Sequence, residues 1–219
     1  FAVVSAGEGS QLMLARALIA DTGPPSGTAG GHGLHVQDGG SASATDLIAI
    51  RNHRVGVNNS GAASTLVLER AEVIDTLPLE EPDGGTGIAQ FDGTLTLRDV
   101  VVLDNVGFGV FVQQGSASID RALIVGTTPT SDSGLSYGVL ASGGADLTVH
   151  DTAAVDNAGV GFLADGYLGG SASFDHCLAE ATGVFGSTFG GVGLVVQGGF
   201  TATPTVRHFI ARGSISAGV

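Results

Sequence analysis

The side chains best suited to chemistry are six histidines, one cysteine and 21 acids, set against eight basic residues that are all arginine. Cys177 directly follows His176, and a thiolate beside an imidazole is the elementary nucleophile–base pair. In an extended strand, however, neighbours point to opposite faces. The two are therefore expected to diverge, with Cys177 in the core as a small buried residue. His176 and His208 occupy equivalent places in consecutive repeats, and two imidazoles on adjacent strands begin a transition-metal site. The sequence shows no third ligand, so no metal site is assigned. His150 stands beside Asp151 as Arg98 stands beside Asp99, and reads as a surface residue. Glu80, Glu81 and Asp83 form the densest acidic cluster. Ca²⁺ needs several oxygen ligands at defined spacing. It is the one ion this cluster raises, but a solvated loop is expected, and no cofactor is assigned.

These residues are carried by a recurring glycine followed by an apolar residue: Gly33-Leu34, Gly56-Val57, Gly87-Ile88, Gly109-Val110, Gly138-Val139, Gly161-Phe162 and Gly193-Leu194. The steps alternate between about 23 and about 30 residues, so the unit is a pair of coils, one short and one long. A repeat in this range buries its apolar face only by stacking on its neighbours. Between the glycines, apolar residues alternate with polar ones over three to five positions, as in Ser116–Asp120. That period belongs to strands. No 3.6-residue stripe is sustained, so almost no helix is expected.

Aligned, the coils yield three columns that alternate in phase. The first is Arg16, Asp46, Arg70, Asp99, Arg121, Asp151, His176 and His208. The second is Thr22, Asn52, Thr76, Asn105, Thr127, Asn157, Thr182 and Ser214. The third is Ala17, Leu47, Ala71, Val100, Ala122, Thr152, Cys177 and Phe209. Parallel strands stack about 4.8 Å apart, so each Arg is predicted to lie between two Asp neighbours in a ladder of opposite charges. Exposed ion pairs contribute little stability, and the ladder is assigned to register. The third column reads as large packed against small in a core.

With Gly-apolar-x-apolar opening each coil, with phrases such as Leu95-Thr96-Leu97-Arg98-Asp99-Val100, and with Asn or Thr near each coil's end, the whole chain resembles the pectin-lyase-like superfamily. The resemblance implies an all-β fold: a right-handed parallel β-helix, a solenoid of about eight coils in one domain over residues 1–219. It departs from that family in carrying an Arg/Asp column where stacked Asn is common. The family includes polysaccharide lyases, glycosidases, phage tailspikes and noncatalytic surface proteins. Gly31-His32-Gly33 matches a short polygalacturonase motif, but paired carboxylates at glycosidase separation are not found with it.

In enzymes of that superfamily the site usually lies on the first-strand face. Here the outward positions are His35, Asn58, Ala89, Phe111, Leu140, Leu163 and Val195, then Gln37, Ser60, Phe91, Gln113, Ser142, Asp165 and Gln197. The clustered acids and basic residue of Ca²⁺-dependent lyases are missing from this set. An apolar stripe bordered by polar residues marks a contact surface or a surface that loops cover. Phe111, Gln113, Leu140, Leu163, Asp165 and Gln197 are the candidate binding residues. Arg16, Asp46, Arg70, Asp99, Arg121, Asp151, Asn52, Asn105 and Asn157 are the structural ladder.

Four 13-residue inserts, Asp21–Gly33, Asp75–Gly87, Gly126–Gly138 and Ala181–Gly193, leave the long coils at one corner and read as loops. A net charge of −13 repels phosphate and excludes nucleic acid. No apolar run has the length to span a bilayer. The chain opens at Phe1 within a repeat and closes on Gly218-Val219, which predicts a piece of a longer solenoid. A noncatalytic structural or adhesive segment, extracellular or on a cell surface, is the expectation. The alternatives are a carbohydrate-binding or polysaccharide-degrading β-helix and a self-assembling filament. The partners implied are a polysaccharide, a cell-surface protein or a second copy.

Overall fold

In the computed structural model, residues 2–23, 31–78, 84–130, 136–183 and 191–213 are described. The acidic cluster at Glu80, Glu81 and Asp83, the middle of each long-coil insert, and Ser214 lie outside them. The described residues are all-β, with no helix, and every strand pair is parallel. An eight-stranded sheet takes one strand from each repeat: Val3–Ala6, Leu34–Gln37, Val55–Ser60, Thr86–Phe91, Phe108–Gln113, Ser136–Ser142, Gly159–Asp165 and Val192–Gln197. A 14-stranded sheet takes the rest of each repeat. Two of its strands, Gln11–Ala20 and Ser41–Ile50, run unbroken through a corner that splits later repeats into two strands. Each strand pairs with its equivalent in the next repeat, so Val110 lies between Ile88 and Val139. These features fit a parallel β-solenoid.

Inward side chains from all three strand rows meet in one core. Val36 from the first row, Leu68 from the second and Val73 from the third are fully buried members of it. The small/large column lies there as well: Leu47, Ala71, Val100, Ala122, Thr152 and Cys177 are all buried. Period-2 patterning delivers these faces, as in Ser116–Asp120, where Ala117 and Ile119 are buried and Ser118 is exposed.

The glycine column has a steric cause. A methyl group on Gly109 would lie 2.7 Å from Gly138 O and 2.5 Å from Ile124 Cγ2. At Gly138 it would lie 2.6 Å from Gly161 O, and at Gly161, 2.7 Å from Gly193 O. The backbones of adjacent repeats approach too closely here for any Cβ.

Corners impose a second rule. Arg16, Asp46, Arg70, Asp99, Arg121, Asp151, His176 and His208 all have φ between 47° and 55°, the left-handed region that few non-glycine residues adopt. From Arg70 onward each lies between two strands and turns the chain from one to the next, whereas Arg16 and Asp46 turn it within a continuous strand. A second corner repeats the device at Asp21, Arg51, Asp75, Asp104 and Asp156. Directly after it, Asn52, Thr76, Asn105, Thr127, Asn157 and Thr182 are fully buried. Asn105 accepts a hydrogen bond from the Thr76 backbone N–H at 3.0 Å and donates to Leu103 O at 2.9 Å. Asn157 accepts from Thr127 N–H at 3.1 Å and donates to Ile124 O at 3.1 Å. Asn52 accepts from Thr22 Oγ1 at 2.9 Å and donates to Ile19 O at 3.2 Å. Each Asn thus satisfies backbone groups that the turn withdraws from the ladder.

Candidate functional site

Two surfaces gather the residues with functional potential. The first is the outward side of the eight-stranded sheet. Parallel pairing places Phe111 between Ala89 and Leu140, Leu140 beside Leu163, and Leu163 beside Val195. Gln113 lies beside Phe91 and Ser142, and Asp165 beside Gln197. All six candidate binding residues therefore fall on two adjoining columns. Along the sheet the face changes character. His35, Asn58 and Ala89 are buried, whereas Phe111, Leu140, Leu163 and Val195 are half-buried. Phe91 is 41% exposed.

Two aromatic residues not recognised in the sequence join this face. Phe108 and Tyr137 each precede a recurring glycine, and they stack at 5.6 Å with an interplanar angle of 7°. Phe108 also meets Phe111 at 5.2 Å, and Phe111 meets Phe91 edge-on at 5.5 Å. Burial pushes the Tyr137 phenol upward. The signal was an aromatic before the glycine in two consecutive repeats.

The polygalacturonase-like histidine is buried. His32 stacks on His35 at 4.9 Å, and burial, with the positive groups of His35 and Arg54 adding to it, lowers its pKa to about 4. His35 bonds Ser60 Oγ and Asn58 Nδ2, each at 3.1 Å, and is lowered chiefly by burial as well. Both are neutral imidazoles at pH 7. Cys177 is 2% exposed and its Sγ lies 3.4 Å from Asp175 O and 3.7 Å from Val149 O. Burial pushes the thiol up to about 11, so thiolate chemistry at neutral pH is closed to it. As expected, His176 points outward and Cys177 inward.

The second surface is the first corner. Two charged residues meet there in each repeat from the third onward: Glu69-Arg70, Arg98-Asp99, Asp120-Arg121, His150-Asp151, Asp175-His176 and Arg207-His208. Pairing aligns the first members, Glu69 with Arg98, Arg98 with Asp120, Asp120 with His150, His150 with Asp175, and Asp175 with Arg207. The result through the seventh repeat is a checkerboard of acids and bases.

Within the ladder Arg70 feels both Asp46 and Asp99, but the hydrogen bonds are pairwise. Arg70 Nε donates to Asp46 Oδ1 at 2.7 Å, and Arg121 Nε to Asp99 Oδ1 at 2.7 Å, each with a second bond through Nη2. Each Arg reaches back to the preceding repeat and grips its carboxylate through two parallel N–H donors. Asp99 feels Arg70 only through charge, and Asp46 feels Arg16 in the same way. These bonds hold Asp46 and Asp99 below the usual carboxylate range. Arg98 reaches Glu69 at 3.2 Å and Arg121 also bonds Asp120. At the second corner Arg51 grips Asp21 through two bonds at 2.7 and 2.8 Å.

In repeats six to eight, imidazoles take most of the cation positions. His150 Nδ1 lies 3.2 Å from Asp120 Oδ1 and 3.1 Å from Asp151 Oδ2. Asp175 Oδ1 receives both His176 Nδ1 at 3.1 Å and His208 Nδ1 at 2.8 Å. The His208 hydrogen bond, followed by the charges of His176, His208 and His150, holds Asp175 below the ordinary carboxylate value. Beside the two imidazoles stands a third donor that the sequence did not show, Asp175. It was hidden because strand alternation places neighbours on opposite faces. The left-handed backbone at His176 breaks that alternation and brings both side chains to one side.

Comparison with protein-family models, with curated proteins and with solved structures finds no match to this chain. Its class therefore rests on the strand pairing: an all-β, parallel-sheet repeat protein compatible with a β-solenoid.

Proposed function

We propose that this chain is a segment of a right-handed parallel β-helix of the pectin-lyase-like kind, working without catalysis as a stiff spacer with an adhesive face, outside the cell or on its surface. The observation that carries this reading is the composition of the outward face of the eight-stranded sheet. Where enzymes of the resembling superfamily place converging acids and bases, the later repeats present Phe91, Phe108, Phe111, Tyr137, Leu140 and Leu163. Among the outward positions read there, Asp165 is the single carboxylate. Hydrolysis by a paired-carboxylate mechanism needs two acids flanking the bond, and this face offers one. The ion pairs among the described residues lie at the corners.

Carbohydrate binding without cleavage is the second reading. It is favoured by the exposed ring of Phe91 beside Phe111, with Gln113 and Gln197 exposed along the same edge. Rings can cover the apolar side of a sugar while amides bond its hydroxyls. A glycan array together with a polysaccharide-degradation screen tests both. The expected result is binding or silence with no product formed. Release of oligosaccharides from a uronic-acid polymer would overturn the noncatalytic reading. If a glycan binds, Phe91→Ala combined with Gln113→Ala is expected to abolish the signal and leave the melting temperature nearly unchanged.

A further inference from the structure

We propose that the first corner of repeats seven and eight is a binding site for a divalent transition metal of the Zn²⁺ class, with Asp175, His176 and His208 as ligands. The inference goes beyond the adhesive role and does not depend on it. A nitrogen–oxygen donor set in four-coordinate geometry holds Zn²⁺ at about 2.0–2.2 Å, which separates ligand atoms by roughly 3.2–3.5 Å. Asp175 Oδ1 already lies 3.1 Å from His176 Nδ1 and 2.8 Å from His208 Nδ1. The three ligand atoms all fall within 4.8 Å of one another. The imidazole rings stack at 4.2 Å with an interplanar angle of 22°, so their Nδ1 edges face the same carboxylate. Only a small outward movement of each ring separates this arrangement from a coordinated one.

Three further features favour a metal over a purely electrostatic ladder. The earlier repeats solve the same corner with Arg, which pairs with carboxylates but cannot ligate. Here, in successive repeats, both corner bases are imidazoles, the commonest metal ligand. Both imidazole side chains are exposed, so an ion has open access and a fourth position is left for water. Finally, His150 lies edge-on to His176 at 5.7 Å and pairs with Asp120 and Asp151, which sets a further imidazole and two more carboxylates beside the trio. His150, Asp151 and His176 form a second trio within the same 4.8 Å limit. The Asp175 trio is assigned because one carboxylate oxygen contacts both of its imidazoles.

Coordination through Nδ1 requires that nitrogen to be free of hydrogen. A ring neutral with its hydrogen on Nδ1 therefore shifts it to Nε2, and a doubly protonated ring keeps Nε2–H and gives the Nδ1 proton to solvent. Binding is thus weakened by acid.

Isothermal titration of the chelator-stripped chain with ZnCl₂ at pH 7.5, repeated with CoCl₂ and read by visible absorption, tests the assignment. One equivalent is expected to bind, with a d–d band for Co²⁺ and reversal by EDTA. Asp175→Asn and His208→Ala are each expected to weaken Zn²⁺ at least about tenfold, and Asp151→Asn much less. His176→Arg keeps a cation at the corner, as Arg121 does, and is expected to preserve the fold while removing the metal. Absence of binding would overturn the proposal. So would affinity unchanged by His176→Arg, or affinity lost with Asp151→Asn but kept with Asp175→Asn and His208→Ala.

Discussion

The same corner is built twice in this molecule, once in arginine and once in histidine. Repeats three to five place Arg70, Arg98 and Arg121 against Asp46, Glu69 and Asp99. Repeats six to eight place His150, His176 and His208 against Asp120 and Asp175. The backbone is the same in both halves: left-handed at the corner residue, parallel on either side, with a core-facing residue next in line. What differs is what the cation can do. A guanidinium stays charged at any accessible pH, whereas an imidazole can give up a proton and take a metal. The repeat sets the stage identically, and the side chain at one column decides whether that stage is inert or responsive.

The largest effects should fall on what the two halves share. Gly109→Val and Gly161→Val force a side chain onto a carbonyl of the next repeat. Each is expected to cost at least about 1–3 kcal/mol, the ordinary range of overpacking, in urea or thermal unfolding. Asn105→Ala and Asn157→Ala strand buried backbone groups and are expected to cost about 1–3 kcal/mol each. Losses that differ strongly between the halves would show that the repeats are not mechanically equivalent.

Acid comes next and acts on both halves through their carboxylates. Asp46, Asp99 and Asp175 are held below their unfolded values, so below about pH 4 the unfolded chain binds more protons than the folded one. Their contribution is complete above that range and is lost as pH falls through the folded values. His32 behaves likewise from a higher start. Its pKa of about 4 against about 6.5 when unfolded removes stability progressively between those two values as pH drops. Hydrogen exchange at stepped pH is expected to loosen the strand at Leu34–Gln37 first and the Arg ladder later. Simultaneous loosening would separate His32 from that order.

Zn²⁺ should then divide the halves. Exchange is expected to slow in Asp146–His150, Ser171–Asp175 and Leu178–Glu180 while Thr94–Arg98 and Ser116–Asp120 stay unchanged, and His176→Arg should erase the difference. The smallest effect belongs to the exposed ladder. Arg121→Asp sets it beside Asp99, Asp120 and Asp151, and a modest fall in melting temperature is expected, with order lost locally. Arg121→Gly loses the same bonds but relieves a φ of 51°, so it should melt closer to the parent than Arg121→Asp does. An unchanged melt for Arg121→Asp would mean the ladder is passive.

Register was the legible part of this fold. Columns read from one-letter spacing became neighbours in space, as Ile124 between Val102 and Ala154 shows, because strands that pair in parallel convert sequence period into contact. The candidate face was legible in part. Phe111, Leu140 and Leu163 line up as the pattern requires, yet Phe108 and Tyr137 were missed because the glycine after each breaks strict alternation. The corner chemistry was the least legible. Nothing in residue type announces a left-handed φ at Arg70 or His176, and without it Asp175 and His176 belong to opposite faces.

The column of glycines carries a consequence for how such a chain can change. Where no carbon can be added, ordinary drift is blocked, and the small-then-bulky rhythm at Ala71, Val100 and Ala122 means that losing a single turn would set two bulky or two small residues face to face. The permitted edits are whole couplets, gained or lost together, so the parallel sheets lengthen in steps that leave their register untouched.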